Sequence, residues 1–156
     1  MFPVYCPLLP TSTERTKNTM MISTKGRYAL RVMIDLARQN KDEFISLKGI
    51  SERQQISMKY LEAIVAVLNK AGFLQSLRGK DGGYKLAKSP GEYTIGSVLK
   101  LTEGSLAPVA CLEGGCDTVC QSADGCITLP LWQKLDGIID NYLESVTLQD
   151  LLDGNV

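Results

Sequence analysis

At Gly72 the apolar pattern of this chain changes period, and that change restricts the fold more than any other feature. Before it, apolar residues recur every three or four positions, the spacing of one helix face. In the first such segment they are Ala29, Leu30, Val32, Met33, Leu36 and Ala37, behind a Ser23 or Thr24 able to cap the N-terminus. Polar residues 40–43 end it. Ser46 caps a second, short helix through Ile50 and Arg53, and Gln54, Gln55 and Ile56 form a turn. Ser57 caps a third helix with Leu61, Ile64, Val65 and Leu68 on one face. Ala71 closes it, with Gly72 in the left-handed C-terminal position. Two helices around a tight turn, with Ser51, Ile56 and Leu61 at packing positions, make a helix-turn-helix. Such turns often hold a glycine; here Gln55 stands in that neighbourhood.

Beyond Gly72, residues 73–77 and 84–87 read as two strands around Arg78-Gly79-Lys80-Asp81-Gly82-Gly83. The glycines and Asp81 make a hairpin tip from which Arg78 and Lys80 project. A lone hairpin would need no further role than solubility. Directly behind a helix-turn-helix it reads as a wing.

The chain has equal numbers of acidic and basic residues, 17 of each, but they are not mixed. Residues 21–90 hold thirteen Lys/Arg against six Asp/Glu, and residues 91–156 hold two against ten. A basic unit beside an acidic one points to a nucleic-acid face next to a partner region. Three parts are therefore expected: an extension over 1–20, disordered or artefactual; a DNA-binding unit over 21–90; and a sensor and pairing unit over 91–156. The extension lacks the order of a signal peptide. No apolar run spans a membrane, so a cytoplasmic location is expected.

In the acidic part, Thr94 caps a helix with Ile95, Val98 and Leu99, ending near Gly104. Pro130 suits the first turn of a long helix, whose stripe is Leu131, Leu135, Ile138, Ile139, Tyr142 and Val146. That stripe suits pairing with a second copy. Thr147 and Asp150 form a capping box for a last short helix.

Between these helices lie Cys111, Cys116, Cys120 and Cys126; Cys6 stands apart in the extension. Four soft thiolates on one short segment suit zinc or an iron–sulfur cluster, and no Cys-x-x-Cys knuckle favours zinc. Two disulfides would need an oxidising compartment, which nothing here signals. The chain contains no His, no Gly-x-Ser-x-Gly and no phosphate-binding loop, so it is not expected to be an enzyme.

Residues 23–30, 50–54, 56–57 and 60–62, with Arg78-Gly79 and Gly82-Gly83-Tyr84, resemble the Rrf-two family of bacterial transcription regulators, in particular its iron–sulfur cluster regulators. The resemblance runs from about Met21 to Leu152. It implies a mainly helical winged helix-turn-helix fold with a small hairpin wing, a homodimer crossed through the long helix, and a near-palindromic double-stranded DNA operator. It implies a 2Fe-2S cluster held by three cysteines, matched here by Cys111, Cys120 and Cys126. The fourth ligand varies among the family's cluster-binding members, and in the cluster regulator type most similar to this chain it is a His three residues after the last cysteine. Leu129 stands there, so Cys116 is expected to complete an all-thiolate set.

DNA is expected to meet Lys25, Arg27, Arg78 and Lys80 through phosphates, with Gly82 and Gly83 in the same wing tip. Ser57, Lys59, Tyr60 and Glu62 lie where base edges come within reach. The expected function is a dimeric transcriptional regulator whose operator affinity is set by the cluster. A zinc-bound or thiol-redox repressor of the same fold is the alternative, and an iron–sulfur electron carrier a more distant one.

Overall fold

The computed structural model describes residues 22–113 and 123–156. Among them are helices α1 (Thr24–Ala37), α2 (Leu47–Gln54) and α3 (Met58–Lys70), then strands β1 (Leu74–Leu77) and β2 (Gly83–Leu86). Helices α4 (Ile95–Glu103), α5 (Leu129–Ser145) and α6 (Leu148–Asp153) follow. Most starts are capped as the sequence requires. Ser46 Oγ accepts from Gly49 N–H at 3.1 Å, Thr94 Oγ1 from Ser97 at 3.0 Å, and Thr147 Oγ1 from Asp150 at 3.2 Å. For α1 the cap is Ser23, which accepts from Lys25 and Gly26. Ser57 occupies the N-cap of α3, but its side chain accepts no capping bond and stays exposed.

Helix α1 lies at the centre. Ala29, Val32 and Met33 are fully buried, in one cluster with Ile50, Ile56, Leu61, Ile64 and Leu68. The same cluster continues through Tyr93, Ile95, Val98, Leu99 and Leu148, so the basic and acidic segments share one core. Each large apolar side chain removed from water contributes about 1.5–3 kcal/mol.

The turn between α2 and α3 is built without glycine. Gln55 takes a left-handed conformation, φ 54°, and its side-chain amide donates to Glu52 O at 2.8 Å. Ser51 Oγ donates across the turn to Ile56 O at 2.6 Å. Asp35, only 4% exposed, anchors the end of α2 to α1. It receives Arg53 Nη2 at 2.7 Å, Arg53 Nε at 3.0 Å and Gln54 Nε2 at 2.9 Å. Burial pushes the Asp35 pKa up, but hydrogen bonds from Arg53 and Gln54, with the charges of Arg53 and Arg38, hold it below its ordinary value.

The hairpin is antiparallel, pairing Leu74 with Leu86 and Leu77 with Gly83. Both strands begin one residue from their expected starts. Phe73 N–H is spent on Leu68 O in closing α3, and Gly83 joins the ladder opposite Leu77. A third segment also meets the hairpin. Ile45 and Tyr84 exchange two backbone hydrogen bonds of 2.9 Å. That approach requires glycine next door, since a Cβ on Gly83 would lie 2.3 Å from Ile45 O. At the hairpin's base, Tyr93 Oη donates to Phe73 O at 2.9 Å and accepts Lys88 N–H at 2.7 Å.

Helix α5 is attached at one end. Thr94 Oγ1 donates to Glu144 at 2.6 Å, while Lys100 Nζ reaches Glu144 at 2.8 Å and also Asp140. Leu143 and Val146 lean on the core, yet no α5 residue is fully buried. Leu131, Ile138 and Tyr142 are 58%, 57% and 57% exposed.

Candidate nucleic-acid interface and cysteine segment

The start of α3 is presented outward. Ser57, Lys59, Tyr60 and Glu62 are all exposed, while Leu61 between them is fully buried. The helical period thus forces one residue into the core and its neighbours out. Ring contact between Tyr28 of α1 and Tyr60 of α3, with centroids 6.1 Å apart, brings the start of α1 beside the start of α3. Lys25 and Arg27 belong to that same α1 turn, half-exposed and exposed respectively. Arg78 and Lys80 are exposed at the loop joining β1 to β2. Among the described residues no ion pair engages Lys25, Arg27, Lys59, Arg78 or Lys80, so their charge faces solvent unneutralised.

The expected tip glycines have internal work. Gly83 is buried against Ile45, and a Cβ on Gly82 would lie 2.5 Å from Leu77 O. Sequence reasoning missed Arg31, Asp35 and Glu103. Arg31 Nε donates to Gln54 Oε1 at 3.2 Å, its Nη2 donates to Gln54 O, and its guanidinium lies 5.4 Å from the Tyr28 ring centroid. For Asp35 a signal existed: an acid among Val32, Met33 and Leu36 on the buried side of a helix demands a cationic partner. Glu103 and Arg31 gave no comparable sign.

In the cysteine segment, Cys111 sits in a 3₁₀ turn, Ala110–Leu112, and Cys126 follows another, Ala123–Gly125. Both are free and half-buried. Cys116 and Cys120 lie outside the described residues, as do Cys6 and the extension. Cys126 Sγ is 3.4 Å from Thr128 Oγ1, just before α5. Hydrogen bonding with the Thr128 hydroxyl, then with the backbone N–H groups of Thr128 and Leu129, holds the Cys126 thiol below its ordinary pKa. Those bonds stabilise the thiolate relative to an isolated thiol, and the thiolate is the form that binds soft metals. Among the described residues, no three Cys, Asp or Glu side chains converge as a metal site would require. Leu129, where the resemblance leads to the expectation of a missing histidine, opens α5 and offers no ligand atom in its side chain.

A helix-turn-helix with the start of its second helix exposed, followed by a hairpin locked to the domain, defines a winged-helix protein of the DNA-binding class. Comparison with known proteins narrows this. Residues 22–154 match the family Rrf2, described as an iron-dependent transcriptional regulator, and the chain belongs to that family. It is 38% identical to the HTH-type transcriptional regulator IscR of Pectobacterium carotovorum over 135 residues, covering 85% of this chain and 79% of that one. The solved structure of T. potens IscR is 37% identical with a TM-score of 0.68, over 87% of this chain and 88% of that one. CymR, the global cysteine regulator of B. subtilis, is similar to the same degree: 37% identity and TM-score 0.68, over 84% and 95% of the two chains. The protein is thus a transcriptional regulator and not an enzyme. Among the described residues no helix is long and apolar enough to cross a membrane.

Proposed function

We propose that this chain is a homodimeric regulator that binds a near-palindromic operator with an affinity set by an iron–sulfur cluster on Cys111, Cys116, Cys120 and Cys126. The observation that carries the DNA part is the set of unpaired cations at the starts of α1 and α3 and at the wing tip. Lys25, Arg27, Arg78 and Lys80 hold the phosphates, and Ser57, Lys59, Tyr60 and Glu62 meet base edges. Glu62 accepts from a cytosine amino group or repels phosphates at unsuitable sites. Gly82 lets the wing loop close over Leu77 O, and Gly83 docks the wing on Ile45, so that the loop holds its cations in place. A cytoplasmic location accompanies this reading.

The dimer reading rests on Leu131, Ile138 and Tyr142, an exposed stripe covering about 16 Å of α5 at the ordinary helical rise. Two copies crossed there would present two winged domains, and hence a two-fold operator. The cluster reading rests on the donor set of four cysteines on one segment and on Cys126, which hydrogen bonds at the start of α5 hold below its ordinary pKa. A 2Fe-2S cluster, when bound, supplies a clamp whose presence depends on iron supply and oxidation. The chain's own part is to hold four thiolates ahead of α5, the pairing helix. A change in that segment then alters the separation of the two readers and so the operator affinity. The Cys126 environment equally suits a thiol-redox or zinc-bound regulator of this fold.

Anaerobic reconstitution of the wild type and of each Cys→Ala variant, read by visible absorption and by iron and zinc content, tests the ligand set. Loss of iron in the Cys111, Cys120 and Cys126 variants, with a more labile cluster in Cys116→Ala, is expected. Zinc in place of iron, or unchanged metal in all four, would overturn the cluster. DNA binding is tested separately by its salt dependence: about six neutralised phosphates give a slope of log K against log salt near −5. A salt-independent or undetectable association would end the regulator reading.

A further inference from the structure

An exposed tyrosine at the start of a reading helix is a poor selector unless something fixes it. Tyr60 is 53% exposed and belongs to the first turn of α3. Its ring meets the Tyr28 ring edge-on, with centroids 6.1 Å apart and planes at 81°. The Arg31 guanidinium lies 5.4 Å from the Tyr28 centroid and also bonds twice to Gln54, the last residue of α2. Gln54 adjoins Gln55, the left-handed residue that turns the chain towards α3. One side of α1 therefore grips both the turn and the first aromatic beyond it.

We propose that Tyr28 and Arg31 are positioning residues for operator choice, holding the Tyr60 ring and the end of α2 in the arrangement that reads base edges. The inference rests on the reading of α3 as the DNA-reading helix. Phosphate contacts tolerate small displacements, whereas base-edge contacts demand alignment. A side chain held in place before binding also loses less freedom on binding. Loosening the stack should therefore reduce selectivity more than general affinity. Stacking and planar bidentate bonding are properties of Arg that Lys does not share, so charge and positioning can be separated.

The test begins with a duplex selected by the wild-type protein from a randomised pool. Dissociation constants for that duplex and a scrambled one are measured at a single salt concentration, for Tyr28→Leu, Tyr28→Phe, Arg31→Lys and Tyr60→Ala. Tyr28→Leu and Arg31→Lys should each lower the selectivity ratio about five- to tenfold, the size expected when one side chain must newly be immobilised. Tyr28→Phe keeps the ring pair and should keep the wild-type ratio. Melting temperatures show whether Tyr28→Leu is folded; should it not be, the exposed Arg31→Lys decides. A lowered ratio in Tyr60→Ala with wild-type ratios in Tyr28→Leu and Arg31→Lys would overturn the positioning role alone. An unchanged ratio in Tyr60→Ala, or a pool that yields no preferred duplex, would overturn the reading of α3 and this inference with it.

Discussion

Glu103, the last residue of α4, accepts a 2.7 Å hydrogen bond from the Ser23 hydroxyl and a 3.2 Å bond from the Ser23 N–H. The Ser23 oxygen in turn accepts from Lys25 and Gly26 N–H at 3.1 and 3.4 Å. A carboxylate is badly placed at the negative end of its own helix and well placed at the positive end of another. The contact thus ties the helix leading to the cysteine segment to the turn that carries Lys25 and Arg27.

Removing that carboxylate should be felt in stability. Glu103→Ala is expected to cost about 1.5–3 kcal/mol by chemical denaturation, the range for hydrogen bonds to a charged group. Gly26→Ala would normally gain up to about 1 kcal/mol in helix propensity. Here its Cβ would lie 2.2 Å from Glu103 Oε1, so no net gain is expected. A clearly stabilised Gly26→Ala would show that the carboxylate moves aside without loss.

Asp35 should give the folded state a specific acid sensitivity. Its pKa lies below the ordinary 3.8, so its contribution is complete above that value and is lost as the pH falls through the lowered one. The acid limb of an unfolding curve should therefore be shallower in Asp35→Asn than in the wild type. Arg53→Ala leaves the buried carboxylate with the Gln54 hydrogen bond and the more distant Arg38 charge and should cost about 2–3 kcal/mol, less than for a fully enclosed pair. Identical acid limbs would remove the pair from the pH response.

Gly83→Ala separates structure from recognition in the wing. The added methyl would lie 2.3 Å from Ile45 O and 2.5 Å from Ile45 C, both backbone atoms that cannot rotate away. A loss of about 2–3 kcal/mol is expected, with faster hydrogen exchange at Ile45 and Tyr84. Wild-type stability with weakened DNA binding would instead make Gly83 a contact residue.

Ile138→Asp tests the dimer at its most exposed stripe. If α5 pairs with a second copy, an unpaired charge enters the seam and costs several kcal/mol of association. Sedimentation should then show a wild-type dimer and a folded monomeric variant at micromolar concentration. A monomeric wild type would remove the stripe's assigned role.

The helices were legible because their signals are local. Ser46, Thr94 and Thr147 cap residues no more than three positions away, and the apolar spacing follows from the helical period. The hairpin followed from the change of period at Gly72, and its strand starts missed by one residue because backbone pairing, not side-chain type, fixed them. Gln55 was read as a turn, although its left-handed backbone belongs more often to glycine.

Tertiary structure decided what joins these pieces. Arg53 reaches Asp35 across 18 positions and Ser23 reaches Glu103 across 80, and no period or cap encodes either distance. Periodicity likewise could not divide the α5 stripe, whose Val146 leans on the core while Leu131, Ile138 and Tyr142 face out. Local conformation depends on a residue and its few neighbours, so the sequence by itself determined the elements and their caps. Contacts between elements depend on how whole surfaces pack, and there a charged side chain that looks solvated in sequence becomes a buried partner or a brace.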